Sequence, residues 1–410
     1  MTSPHRCRSC GGTCTETFVD LGVMPSANAY VPVERADVPD RAFPLRTVVC
    51  DVCRLVQVDY DMPPADLFSD YAYFSSYSTS WVEHARRYVE AVIPRLGLSS
   101  RSLVVEIASN DGYLLQHFLP HGIPVLGIEP AANVAAVAEQ KGVPTDVAFF
   151  GRDTARRLVA AGRAADLLLG NNVLAHVPDL NDFLGGVAIA LKDASSVFTF
   201  EFPHLLRLIE DVQFDTIYHE HFSYLSLAAL EPALARHGLG LFDVERLPTH
   251  GGSLRVWGRK GGAGTSPGLV AVRGDEAAAG LHHREVYHSF GHRVAHCRHA
   301  LMEFLADARR AGKSVVGYGA AAKGNTLLNF CGVTADDVAY VVDRNPVKQN
   351  TLLPGSRIPV FAPERVMETR PDYLLILPWN LKAEIMDQMS GIRAWGGQFV
   401  TPVPTVAVHP

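Results

Sequence analysis

From residue 102 onward, short apolar runs alternate with amphipathic stretches. The runs at 102–107, 125–128, 166–169 and 196–201 predict strands, and a helical period between them predicts helices near 113–119, 133–141 and 180–191. Apolar strands separated by helices imply a parallel sheet covered on both faces. A further helical pattern at 82–96 follows Asp70-Tyr-Ala-Tyr-Phe-Ser-Ser-Tyr-Ser-Thr-Ser-Trp81, a stretch dense in aromatic rings and hydroxyls. Past a polar, amphipathic region at 265–312 the rhythm restarts. Lys313-Ser-Val-Val-Gly-Tyr-Gly-Ala-Ala-Ala-Lys-Gly324 reads as strand, glycine turn and helix, with more strands at 338–342, 373–377 and 398–400. Residues 1–65 hold many prolines and few helical runs. The expected architecture is α/β in three parts: a small module at 1–65, a Rossmann-like domain at 66–264 and a second Rossmann-like domain at 265–410. Thr265-Ser-Pro-Gly reads as the start of the linker.

At 410 residues, 48% hydrophobic and 20% charged, the chain reads as a soluble globular protein of two or three domains. The formal net charge of −6 disfavours non-specific nucleic-acid binding, which needs a basic field. The first residues lack the apolar core of a signal peptide, and no stretch is apolar enough to span a bilayer. A cytoplasmic monomer with neither a membrane nor a nucleic-acid partner is expected.

Seven cysteines are too few for a disulfide scaffold. Cys7-Arg-Ser-Cys10 and Cys50-Asp-Val-Cys53 are two C-x-x-C pairs, each able to bite one tetrahedral ion. Cys7, Cys10, Cys50 and Cys53 are therefore expected to hold one zinc ion. Four thiolates leave no open position for water, so its role is structural. Cys14 has poorer spacing and stays outside the set.

In Glu106-Ile-Ala-Ser-Asn-Asp-Gly112 an acidic residue ends the first strand and small residues shape the turn after it. Dinucleotide oxidoreductases need G-x-G-x-x-G there, so that backbone can approach a pyrophosphate. Neither α/β half carries that pattern, which argues against an NAD-dependent oxidoreductase. S-adenosylmethionine presents no phosphate and is served by carboxylate and backbone groups. Glu106, Ala108, Asn110, Asp111 and Gly112 are candidate cofactor contacts. Glu129 ends the next strand, the place from which a carboxylate reaches ribose hydroxyls. Asn171 and Asn172, in Asn171-Asn-Val-Leu-Ala-His-Val-Pro178, follow the strand at 166–169, at the carboxyl edge where such sheets bind ligands. His176 reads equally as a helix-start residue or a catalytic group.

The densest cluster of titratable groups is Tyr218-His-Glu-His-Phe-Ser-Tyr224. A metal site through His219 and His221 lacks further ligands at suitable spacing. General acid–base catalysis, with a histidine poised near neutral pH and a carboxylate orienting it, fits better. His250-Gly-Gly-Ser-Leu-Arg255 offers flexible backbone donors and an arginine for phosphate. Gly317, Gly319, Lys323, Gly324 and Asn325 form a glycine turn with a cation at a helix start, a candidate anion site. His288, His292, His296 and His299 share one helix face, read as solvated because no acidic or thiolate partner completes a site.

Together these strings resemble the deoxysugar C-methyltransferases of antibiotic biosynthesis, nearly end to end. The match covers both C-x-x-C pairs, the tyrosine-rich stretch with Ser75-Ser76, the 106–112 turn, Asn172-Val-Leu-Ala-His-Val, Tyr218-His-Glu-His-Phe, His250-Gly-Gly-Ser-Leu-Arg and Gly317-Tyr-Gly-Ala-Ala-Ala-Lys-Gly-Asn-Thr. The resemblance implies a zinc module, a central S-adenosylmethionine domain and a C-terminal Rossmann-like domain that helps hold a nucleotide sugar. It implies methyl transfer to C3 of a dTDP-linked 4-keto-deoxysugar through an enolate, with C5 as the alternative carbon. By the same resemblance His221 is the base, with Tyr218, Glu220 and His176 in its site, and a tyrosine of the 71–77 stretch, Tyr71 chosen over Tyr73, stabilises or relays the proton. Ser253, Arg255, Tyr318, Lys323 and Asn325 are the implied substrate contacts.

Overall fold

The computed structural model describes residues 5–60, 62, 75–262 and 264–410. Its central sheet has seven strands, in the order Leu239–Leu247, Ser253–Lys260, Val197–Pro203, Leu167–Asn171, Val104–Ile107, Val125–Ile128 and Thr145–Asp146. Ser253–Lys260 pairs antiparallel with both of its neighbours, and every other pair is parallel. From the seam between Val104–Ile107 and Leu167–Asn171 the chain steps outward in both directions. A crevice therefore opens beyond the carboxyl ends of those two strands, and the turn at 108–112 and Asn171 border it.

The expected strands and helices around this crevice are present to within a few residues, with three differences. Residues 113–119 form no α-helix. They make short 3₁₀ turns at Leu115–His117 and Leu119–His121, because Pro120 lacks the amide a further turn needs. The His250–Arg255 segment is not a flexible donor loop, since Ser253 onward is an interior strand. Thr265-Ser-Pro-Gly starts no loose linker either. Ser266 caps the helix Pro267–Ala278 by accepting from the Leu269 amide at 3.2 Å, with Pro267 at the first turn. Leu269 and Val272 of that helix pack into the core of the central sheet.

The C-terminal sheet has six strands, in the order Val360–Phe361, Val341–Val342, Val315–Tyr318, Tyr373–Ile376, Gln398–Thr401 and Ala407–His409. Its seam lies between Val315–Tyr318 and Tyr373–Ile376, so the turn before the helix Ala322–Cys331 faces the loop carrying Trp379. The helix Phe290–Arg310 buries Phe290, Val294, Cys297, Leu301 and Leu305 and leaves His292, His296 and His299 in water, as its polar face requires. No helix among the described residues is long and apolar enough to cross a membrane.

The N-terminal module contributes Glu16–Pro25, Ala42–Val49 and Val56–Val58 to an antiparallel sheet whose fourth strand, Ser223–Tyr224, comes from the central part of the chain. Gln57 pairs with Ser223 and Val56 with Tyr224, and the Val58 amide donates to the Phe222 carbonyl at 3.1 Å. Phe18, Leu45 and Val56 then share one apolar core with Leu208, Phe290, Leu301 and Leu328. The segment after residue 217 is thus held by the N-terminal module.

That module is stapled by sulfur. The Sγ atoms of Cys7, Cys10, Cys50 and Cys53 lie within 4.8 Å of one another. Cys7–Cys53 and Cys10–Cys50 approach to 3.6 and 3.5 Å, close to the ~3.8 Å edge of a zinc tetrahedron built on ~2.3 Å bonds. Backbone amides of Ser9, Gly12 and Val52 point at Cys7, Cys10 and Cys50, each at 3.4 Å, donors that suit thiolate charge. The donor set fits zinc, and these four residues are the ones that would hold it. Metal analysis should find about one zinc per chain, and Cys50→Ser should lower both zinc content and melting temperature, because binding of the ion contributes to folding. Full zinc content in a variant with all four cysteines changed to serine would contradict the site.

Candidate active site

The first half of the site is the crevice of the central sheet. Ala108, Asn110 and Gly112 take positive φ values of 52, 49 and 73°, which folds the turn back over the strand ends. For Ala and Asn that conformation is costly and is held by surrounding contacts. Glu129 supplies one of them, accepting from the Asn110 amide at 3.0 Å, while its other oxygen accepts from the Ala131 amide at 2.9 Å. Asn110 Oδ1 accepts from the Ser75 amide at 2.9 Å, and Asp111 Oδ2 from Lys141 Nζ at 3.0 Å. Asp111 is in this respect a brace as well as a crevice residue.

Two acidic oxygens here, Glu106 Oε2 and Asp111 Oδ1, are buried without a hydrogen-bond partner. Burial, with Glu129 and Asp111 close by, pushes the Glu106 carboxyl well above the usual carboxylate range. An acidic pocket of this kind suits a cationic ligand. S-adenosylmethionine carries a sulfonium, an ammonium and no phosphate, so the residues present fit it.

The second half is the Tyr218–Tyr224 loop. His221 Nδ1 lies 2.8 Å from the Thr216 carbonyl. A carbonyl only accepts, so Nδ1 carries the proton and Nε2 of the neutral ring keeps its lone pair. Burial, followed by the neighbouring His176, holds the ring's pKa well below 6.5. His176 packs edge-on at 4.6 Å between ring centroids, and Tyr218 lies across the His221 ring at 3.9 Å. Burial brings His176 down to about 4. Glu220 accepts from Asn28 of the N-terminal module at 2.8 Å, and burial pushes its carboxyl up to about 7. His219 turns the other way, 3.2 Å from the Phe43 carbonyl. Among the described residues only the four cysteines gather as a metal-binding group, and His219 and His221 belong to none there.

The turn after Val315–Tyr318 reaches the same place. Lys323 Nζ donates to Asn380 Oδ1 at 2.7 Å and sits 4.7 Å from the Trp379 ring centroid. The Trp379 indole donates to buried Asp215 at 2.7 Å. Burial raises Asp215 to about 6, opposed by Lys323. His250, at φ 53°, lies 2.9 Å from Asn172 Nδ2 and edge-on to Trp81 at 5.2 Å.

The other expected substrate contacts go elsewhere. Arg255 is not open to phosphate, because its guanidinium is buried against Glu201 at 2.7 Å, where His84 also meets that carboxylate at 2.8 Å. Ser253 is buried and donates to the Thr249 carbonyl at 2.9 Å. Asn325 is buried and donates to the Ala27 carbonyl at 2.6 Å, tying the C-terminal helix to the N-terminal module. Tyr318 donates to Gln388 at 3.0 Å and lines a separate cavity of about 650 Å³ with Arg344 and Gln349. Tyr71 lies outside the described residues. Asn28, Asp215, His250 and Trp379 are cluster residues that sequence reasoning did not select. Only His250 carried a signal, as the head of its glycine pair.

Three family models match in order: a zinc binding domain over residues 7–68, a methyltransferase domain over 81–243 and a C-methyltransferase C-terminal domain over 248–404. The chain is 36% identical over 400 residues to C-methyltransferase NovU of Streptomyces niveus, covering 97% of this chain and 95% of that protein. It is 29% identical over 108 residues to a ubiquinone biosynthesis O-methyltransferase of Methylobacterium sp. (strain 4-46), covering 25% of this chain and 42% of that protein. Among solved structures, magnesium protoporphyrin IX methyltransferase of Synechocystis PCC 6803 with bound S-adenosylmethionine aligns at 15% identity and a TM-score of 0.32, over 44% of this chain and 81% of that one. With 36% identity over nearly the whole length and all three domains in sequence, the chain belongs to the family of S-adenosylmethionine-dependent C-methyltransferases.

Proposed function

We propose that this enzyme methylates the carbon beside the keto group of a dTDP-linked 4-keto-deoxysugar, at C3, through an enolate. The observation that carries the reading is His221, a neutral buried imidazole whose lone pair is fixed on Nε2 by the bond to Thr216. A base of that form is suited to removing a proton from carbon. Oxygen or nitrogen acceptors have lone pairs already and need less help. S-adenosylmethionine, when bound, supplies an electrophilic methyl group. The chain's own residues prepare the acceptor: His221 Nε2 takes the proton, while Tyr218 and His176 confine the ring to one orientation. Glu220, near its titration point at neutral pH, is suited to pass that proton onward. The 4-keto sugar and dTDP follow from the family resemblance, and C5, which also adjoins the keto group, is the competing acceptor.

His221→Asn should lose about 10²–10⁴-fold in methyl transfer with cofactor affinity nearly intact. NMR of the product from a synthetic dTDP-4-keto sugar would show the new methyl carbon at C3; a methyl on C5, oxygen or nitrogen would overturn that assignment. Near wild-type turnover by His221→Asn would exclude this base. Because burial keeps the imidazole neutral, kcat/KM of a Glu220→Gln variant, in which the carboxyl near 7 no longer titrates, should hold steady as pH falls through 6.5, with its acid limb lower. A limb at 6.5 would mean a solvated histidine. Glu129→Ala should weaken S-adenosylmethionine binding at least tenfold in calorimetry, as expected for roughly 1.5–3 kcal/mol of charge-assisted hydrogen bonding. Unchanged affinity would remove Glu129 from the cofactor site.

A further inference from the structure

The burial that keeps His221 neutral also makes it a weak base. A weak base can deprotonate carbon only if the charge left behind is strongly stabilised. As the C–H bond breaks, its proton goes to Nε2 and its electron pair becomes the new carbon–carbon double bond. The carbonyl π pair moves onto oxygen, and the negative charge gathers there. Something in the site must meet that oxygen.

We propose that Lys323 is a catalytic residue that donates from Nζ to the forming enolate oxygen, with Asp215 and Trp379 as positioning residues. The inference rests on the carbon-methylation reading above. Three observations support it. Lys323 is held in one place, by Asn380 Oδ1 at 2.7 Å and by the face of Trp379 at 4.7 Å. An ammonium has three donors, and Asn380 uses one. Its counter-charge is close at hand: Asp215 is fully buried and bound to the indole of that same Trp379 at 2.7 Å, and it works against the burial that would strip the proton from Lys323.

Position is the third observation. Lys323 rests on Trp379, whose indole binds Asp215, the residue before the Thr216 whose carbonyl holds His221, and Thr326, one helical turn after Lys323, donates to the Ile217 carbonyl at 3.1 Å. A carbon in reach of Nε2 sits about 3–3.5 Å from it, and the keto oxygen is attached to the very next carbon. A cation anchored against that same turn is the donor the C-terminal domain offers to that oxygen. Such a cation makes His221 harder to protonate, a cost that is offset only if Nζ is nearer to the enolate oxygen than to the ring. The C-terminal domain thereby completes the catalytic site of the central one.

A pyrophosphate is the other anion an ammonium could bind, and the test separates the two. Wild type and Lys323→Met are compared for hydrogen exchange at the carbon beside the keto group in D₂O, for methyl transfer, and for calorimetric binding of thymidine diphosphate and S-adenosylhomocysteine. Lys323→Met should lose about 10²–10³-fold in both exchange and kcat, while both affinities change less than about threefold. A large fall in thymidine diphosphate affinity with unchanged kcat would overturn the proposal in favour of phosphate binding. Wild-type rates in Lys323→Met would overturn it outright. If Lys323→Met fails to bind S-adenosylhomocysteine it is misfolded, and Lys323→Arg then carries the test through the same split between kcat and affinity. A wild-type enzyme that neither exchanges nor methylates would overturn the substrate reading and this inference together. Wild-type turnover matched by the variant would overturn the inference alone.

Discussion

A carbonyl oxygen has no proton to give, so the 2.8 Å contact between His221 and Thr216 leaves the ring one available tautomer. Everything else in the site is arranged around that ring. Thr216 closes the 3₁₀ turn Phe214–Thr216, and the next carbonyl, of Ile217, accepts from Thr326 in the C-terminal domain at 3.1 Å. Downstream, Phe222 to Tyr224 pair with the edge strand of the N-terminal module. The loop is thus anchored at one end by one neighbour and at the other end by the second.

This explains why a methyltransferase domain carries two companions. The zinc-stapled strand Val56–Val58 begins three residues after Cys53, so the ion fixes the strand to which the loop attaches. Asn28 reaches Glu220 from the same module, and Asn325 returns the contact to Ala27. With Lys323 and Trp379 arriving from the C-terminal domain, all three parts of the chain border one small volume. Burial there accounts for the depressed histidines and the raised Glu220 and Asp215.

Much of this was legible before any coordinates. Four of the seven central strands and four of the six C-terminal ones followed from periodicity, and the four cysteines from spacing, whereas the antiparallel pair Leu239–Leu247 and Ser253–Lys260 was missed. The Tyr218–Tyr224 cluster stood out because so many titratable groups rarely adjoin for packing reasons. What the sequence hid was partnership. Arg255 looked available for phosphate, yet Glu201, two strand positions before Pro203, already neutralises it. Asn325 looked like part of an anion turn, yet its side chain faces away to Ala27. Asp215 and Asn28 became cluster residues only through contacts across more than a hundred residues of chain. Such pairings depend on how sheets stack, and no local pattern encodes them. The short strand Ser223–Tyr224 was invisible for the same reason, since two residues carry no periodicity.

The central claim is that His221 presents an unprotonated Nε2 at neutral pH. Nitrogen-15 NMR of the histidine-labelled enzyme, with His221 assigned by comparison with His221→Asn, reads this directly. The account predicts a protonated Nδ1 and a proton-free Nε2 at pH 7, persisting below pH 6.5. A doubly protonated ring at pH 7, or a proton on Nε2 with Nδ1 bare, would contradict it.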